Sequence, residues 1–281
     1  MLRINLPGAK NVLYVNDKSR YRSIEKEIAN AFFPYTQQVS SGDMRNRLNH
    51  DIVIETDGSN IVLIKNDSDS KCFYAKFNST HQTYRQIYSI IRDNLRLTDG
   101  ICFLHGACAL INGHACLFLA ETGTGKSTLG VYFDVMHKRC LTDDLIIMDV
   151  DGGIVYPISR YAHIRQGGME ALTNNVADSF QLAYNDFLLR YEYPLSDERF
   201  CEKYKVEYIF ILCRGCTCQG ISEAYNPHAN ILENMFLPYQ MTNNIVSSLN
   251  IAQKYKIYNA YYDDLHTLSN QIESLVQSKS H

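Results

Sequence analysis

The feature that most constrains this chain is Ala120-Glu121-Thr122-Gly123-Thr124-Gly125-Lys126-Ser127-Thr128. This glycine loop lies between an apolar strand, Ala115 to Leu119, and a helical run, Lys126 to Lys138. Glycines let successive backbone N–H groups close around an anion. A helix beginning at the end of such a loop aims its positive dipole end at the same anion. Lys126 then reaches the β- and γ-phosphates of a nucleotide, and the Ser127 hydroxyl is placed to ligate Mg²⁺. The loop opens on Ala120 where the strict pattern has glycine, which removes one permissive backbone position. The residues from Glu121 through Thr128 read as a nucleoside triphosphate site.

Bulk properties narrow the setting. The 281 residues, 46% hydrophobic and 20% charged, suit one large or two smaller globular domains. A formal net charge of −3 argues against general nucleic-acid binding, and no long basic run suggests a membrane arm. Ile101 to Ala120 is long and apolar, but His105, Asn112-Gly113 and His114 interrupt it. Asn-Gly is a strong two-residue hairpin signal, so this run predicts two buried strands rather than a membrane span. The N-terminus, from Met1 to Pro7, has no signal-peptide apolar core, and a cytoplasmic location is expected.

Nine cysteines in a chain of this size read as reduced, with Cys102, Cys108, Cys116 and Cys140 in apolar surroundings. Cys213, Cys216 and Cys218 have metal-like spacing, with His228 as a fourth candidate. A strand end and turn around Gly215 is the preferred reading there, and no metal is assigned.

Two domains are expected, 1–98 and 99–281. The first reads as strand-rich, with a hairpin whose arms, Asp51 to Glu55 and Asn60 to Ile64, flank Thr56-Asp57-Gly58-Ser59. A strand over Cys72 to Phe77 follows, then a helix over His81 to Leu97 with Tyr84, Ile87, Ile90 and Ile91 on one face. The second domain starts with antiparallel strands Ile101 to Ile111 and His114 to Leu119, leading into the glycine loop. Strands at Leu145 to Met148, Ile154 to Tyr156 and Val206 to Leu212 come next. Helices are expected over Asn230 to Phe236, Thr242 to Lys254 and Asp263 to Gln277, with extended chain from Tyr255 to Tyr262. Leu265, Leu268, Ile272 and Leu275 form the apolar face of the last helix. A hairpin feeding the loop, and an acid pair that precedes its strand, point to a mixed α/β sheet rather than a parallel one.

Phosphoryl transfer needs positioning, charge neutralisation and a group to take the nucleophile's proton. Asp143 and Asp144, at a strand entrance, supply the last: one side chain faces an acceptor and the other addresses Mg²⁺ or its waters. A solvated turn is the plainer alternative for this pair. His105, in an apolar strand, reads first as a satisfied core histidine; beside the loop it would balance or hydrogen-bond the acids.

With these motifs together the chain resembles the HPr kinase/phosphorylase family. The resemblance rests on His105-Gly106, the loop from Glu121 to Ser127 and Asp143-Asp144, at matching separations. It covers about residues 99 to 160 and weakens onward. It implies a mixed sheet of the kind shared with phosphoenolpyruvate carboxykinase, with ATP and Mg²⁺ as cofactors. Catalytic roles would fall on His105, Lys126, Asp143 as proton acceptor and Asp144, with Ser127 and Asp144 at the metal. The family's later Glu-Ile-Arg-Gly signature is missing; Arg165-Gln166-Gly167-Gly168 stands nearby without matching it. In layout the chain is most similar to lasso-peptide tailoring kinases, through its strand-rich start, Leu104 to Ala107, and its helical end. That likeness implies transfer to a serine hydroxyl of a peptide, the C-terminal serine of a lasso precursor in particular.

Arg139, Arg160 and Arg165 are candidates to neutralise charge or hold an acceptor carboxylate. Expected partners are a peptide or protein with an acceptor serine, with no nucleic acid and no membrane; a homo-oligomer is left open. Two other functions stay in play: a nucleotide-binding regulatory module without transfer activity, and a kinase for a small hydroxylated metabolite.

Overall fold

The computed structural model describes residues 1–40, 51–65, 73–136, 139–176, 182–215, 219–236 and 241–278. The chain forms two compact units, Met1–Asp99 and a larger one that begins at Gly100.

The first unit contains β1 (Leu2–Ile4), β2 (Leu13–Asp17), α1 (Ser23–Ala31), β3 (Thr36–Gln38), β4 (Ile52–Thr56), β5 (Asn60–Lys65), β6 (Phe73–Lys76) and α2 (Thr80–Asn94). Its six strands run in the order β3-β1-β2-β4-β5-β6, with only the β2–β4 pair parallel. The β4–β5 hairpin turns where Asp57 accepts the backbone N–H groups of Ser59 and Asn60 at 2.9 and 2.8 Å. The Asn60 side chain, and then those N–H groups, hold the Asp57 carboxyl far below the usual range. Ser79 caps α2 by accepting the Gln82 N–H at 3.2 Å, and Tyr84, Ile87, Ile90 and Ile91 are buried at helical spacing. The helix stops at Asn94, short of the expected Leu97. Asn11 ends it by donating to the Asn94 carbonyl and accepting the Arg96 N–H. Residue periodicity carries no trace of that long-range cap.

The second unit contains β7 (Ile101–Ile111), β8 (His114–Leu119), α3 (Lys126–Val135), β9 (Arg139–Thr142), β10 (Leu145–Asp149), β11 (Ile154–Tyr156), β12 (Tyr161–Ile164), α4 (Gln166–Asn175), β13 (Ala183–Asn185), β14 (Arg190–Pro194), β15 (Tyr204–Arg214), β16 (Gly220–Glu223), α5 (His228–Glu233), α6 (Met241–Lys254), β17 (Lys256–Tyr262) and α7 (Leu265–Ser278). The fold is mixed α/β. Its main sheet runs β11-β10-β7-β8-β15-β17-β16, with β9 beside β7 and β11 also paired to β15. The β15 strand is parallel to both β8 and β17, and the other pairs are antiparallel. A separate three-stranded sheet has the order β12-β14-β13.

The apolar run from Ile101 to Ala120 is the β7–β8 hairpin, turning at Asn112 (φ 50°) and Gly113 (φ 85°). Both faces of the main sheet are covered, which is why its central strands read as continuous apolar runs. One face packs Phe118, Tyr208, Phe210 and Tyr258 against α3, α4 and α7; Ile231 of α5 and Ile251 of α6 belong to the cluster on the other. Leu265, Leu268 and Ile272 of α7 are buried as expected, together with Val276. No helix among the described residues is long and apolar enough to cross a membrane.

The helix expected to run to Lys138 ends at Val135, and His137 and Lys138 lie outside the described residues, as do Cys72, Cys216 and Cys218 of the expected strand and cysteine cluster. The helix expected over Asn230 to Phe236 instead covers His228–Glu233, and α1, β9, β12 to β14 and α4 are elements that periodicity did not announce. Cys102, Cys108, Cys116 and Cys140 are buried thiols. Burial pushes Cys102 up to about 12, consistent with a packing role.

Candidate active site

The site assembles around the middle of β7. On one edge Gly106 pairs with Leu119, the last residue of β8 before the glycine loop. On the other edge β9 and β10 follow one another, with Thr142 opposite Cys108 and Leu145 opposite His105. Asp143 and Asp144 fill the gap, and the ladder breaks there because Asp144 is left-handed, with φ 66°. Aspartate tolerates that conformation better than most residues. The Gly106 N–H still reaches the Asp144 carbonyl at 3.4 Å. Three separate sequence motifs thus meet across adjacent strands.

Gly106 is what allows the approach. A β-carbon there would lie 2.7 Å from the Phe118 carbonyl oxygen and from Ile146 Cδ1, and 2.9 Å from Leu119 Cδ2. Gly106→Ala is expected to cost about 1–3 kcal/mol by overpacking, read as a lower melting temperature. A melting temperature equal to that of the natural chain would show that the strands yield freely at this point.

The loop itself has Gly123 at φ 94° and Gly125 at φ 110°, both in the region that disfavours side chains. Glu121, Thr122 and Gly123 are exposed, Thr124 and Ser127 half-buried, and Lys126 and Thr128 buried. Gly125 precedes α3, whose first-turn N–H groups, from Lys126 to Thr128, have no intrahelical partners. Lys126 Nζ donates to the carbonyls of Ala120 at 2.6 Å and Glu121 at 3.0 Å, folding back over its own loop. Burial lowers its pKa, while Asp143 and Asp144 pull it back up and Arg165 lowers it further.

The two aspartates part company. Asp143 is 3% exposed, whereas the Asp144 side chain is 47% exposed. Burial first, and then the charge of Asp144, raise the Asp143 pKa; the Ser127 hydroxyl and the His163 N–H pull it down. Asp143 Oδ2 accepts that His163 N–H at 3.1 Å, and Oδ1 has no hydrogen-bond partner among the described residues. A buried carboxylate oxygen left open in this way is suited to receive a proton from an incoming hydroxyl. The His105 ring stacks on Phe236, with centroids 5.6 Å apart, and its Nε2 lies 3.6 Å from Asp144 Oδ1. That separation permits charge balance but is too long for a hydrogen bond.

Of the three candidate arginines, Arg165 reaches the loop: its Nη1 is 3.9 Å from where a Gly123 β-carbon would stand. Arg139 instead bonds the Tyr204 hydroxyl at 3.1 Å and approaches Glu198 at 3.8 Å. Arg160 offers its carbonyl to the Leu195 N–H.

Two contributors to the site escaped the sequence, and so did one buried arginine that braces the chain elsewhere in this unit. His163 acts on Asp143 through its backbone, from a strand that periodicity did not reveal. Tyr262 sends its hydroxyl to the Thr124 carbonyl from 138 residues away. Arg199, fully buried, donates to the carbonyls of Ser196 and Ser159, and Ser159 is itself left-handed at φ 72°. A lone arginine in a short polar segment gives no signal of such burial.

No protein-family model matches the chain, and no curated protein matches it. Among solved structures, similarity is found to the Hpr(Ser) kinase/phosphatase from Coxiella burnetii. The alignment covers 63% of this chain and 88% of that one, at 11% sequence identity and a TM-score of 0.34. A likeness this distant carries no weight in assigning the site, which rests on the geometry above.

Proposed function

We propose that this chain is an ATP-dependent kinase that transfers the γ-phosphoryl group to a serine hydroxyl of a peptide. The observation that carries the reading is the convergence of the glycine loop, Lys126 and a buried aspartate with a free carboxylate oxygen around Gly106. The phosphates would lie along Glu121 to Thr128, held by loop and first-turn N–H groups. Lys126 would exchange its contacts to Ala120 and Glu121 for phosphate oxygens, and Arg165 adds a second cation at the loop.

Ser127 and Asp144 offer a hydroxyl and a half-exposed carboxylate, the hard oxygen donors that Mg²⁺ takes alongside phosphate and water. Bound there, Mg²⁺ would neutralise charge on the transferring group. Asp143 takes the proton of the acceptor hydroxyl on its open Oδ1, and His105 offsets the charge of Asp144. The C-terminal serine of a lasso precursor is the specific acceptor that the layout of the chain favours.

Incubation with γ-labelled ATP and a panel of serine peptides, including such precursors, tests the reading. Label on serine is the expected result; ATP binding with no transfer to any peptide would overturn it. Lys126→Met is expected to weaken Mg·ATP binding by roughly tenfold to a hundredfold, the loss of a charge-assisted contact, as read by calorimetric titration. Unchanged affinity would remove Lys126 from the phosphate site.

A further inference from the structure

The β8, β15 and β17 strands are mutually parallel neighbours, so the C-terminal end of β17 lies on the same side of the sheet as the glycine loop that leaves β8. Tyr262 is the last residue of β17. Its ring belongs to the apolar cluster shared with α3 and α7, and the residue is 4% exposed. Its backbone is fixed as well, since its carbonyl accepts the Gly215 N–H at 3.3 Å. From this anchored position the hydroxyl donates to the Thr124 carbonyl. The same hydroxyl would stand 2.7 Å from a β-carbon at residue 125, so Gly125 and Tyr262 fit only as a pair.

A peptide group is planar, with its C=O and N–H on opposite sides. Tyr262 draws the Thr124 carbonyl toward the protein interior, which turns the Gly125 N–H toward the exposed mouth of the loop. Glycine peptides rotate easily, and a rotated one would present a carbonyl dipole to phosphate oxygens. We propose that Tyr262 is the positioning residue of the phosphate site: it locks the Thr124–Gly125 peptide with its N–H facing the nucleotide. This rests on the nucleotide-binding reading above and assigns the C-terminal strand a part in it. Burial keeps the hydroxyl protonated, and therefore a donor, throughout the neutral range.

Tyr262→Phe removes one oxygen atom and keeps the packing. Calorimetric titration with tripolyphosphate and with Mg·ATP should show affinity reduced about tenfold. The KM for ATP rises in proportion while kcat changes little. A purely structural role would lower the melting temperature without that split. Gly125→Ala adds a second measurement: it should weaken tripolyphosphate binding more in the natural chain than in the Tyr262→Phe background, where the collision is relieved. Equal affinities for the natural and Phe chains, or additive effects of the two substitutions, would overturn the role of Tyr262 alone. Failure of the natural chain to bind either phosphate probe would overturn the nucleotide reading itself.

Discussion

Asp143→Asn is expected to reduce phosphoryl transfer by about 10²–10⁴-fold while Mg·ATP still binds, because an amide cannot take the acceptor proton. Single-turnover transfer from γ-labelled ATP to a serine peptide measures the first part, and titration the second. The same substitution should stabilise the fold at neutral pH. Asp143 is buried beside Asp144, and its pKa in the folded chain is raised above the ordinary value of 3.8. The folded chain therefore binds that proton more tightly than the unfolded one. The stability this confers is fully present below pH 3.8 and is lost as pH rises through the raised value. Asn carries no charge to bury, so the Asn chain should melt higher than the natural one at pH 7, with the difference vanishing toward pH 4. Transfer by the natural chain should rise with pH across the same raised value. If Asp143→Asn left transfer intact, the proton acceptor would have to be another group.

Phe118→Ala should cost about 3–5 kcal/mol, the usual penalty for truncating a fully buried phenylalanine. For a unit of this size that corresponds to a fall of roughly 10 °C in melting temperature. Phe118 stacks on Phe133 of α3 at 5.7 Å and on Phe210 of β15 at 5.8 Å, and Phe210 stacks in turn on Tyr258 at 5.8 Å. This column ties the glycine-loop helix to the parallel strands. Its carbonyl is also one of the atoms that a side chain at residue 106 would strike. A melting temperature within a degree or two of the natural chain would mean that neighbouring side chains collapse into the space.

Much of the candidate site was legible as motifs because those motifs are local. Asn112-Gly113 sets a hairpin through backbone preference alone, and Gly123, Gly125 and Lys126 announce a loop and helix start within seven residues. The acid pair could be recognised by type, but not its division of labour. Whether Asp143 or Asp144 is buried depends on the pairing of β9 and β10 along one edge of β7, which brings together residues some forty positions apart. Helix ends show the same limit: the stop of α2 comes from Asn11, more than eighty residues earlier.

The sequence alone determined the mixed α/β character, the hairpin into the glycine loop, and the three motifs that carry the proposed chemistry. These follow from turn preferences, apolar runs and residue chemistry, all of which act over a few positions. Tertiary structure decided which carboxylate is buried with an open oxygen, and which arginine reaches the loop. It also decided that the His163 N–H meets Asp143, and the Tyr262 hydroxyl the Thr124 carbonyl, from distant strands. Those outcomes depend on burial and on hydrogen bonds across 20 to 138 residues of chain. Only the assembled sheet brings such groups within bonding distance.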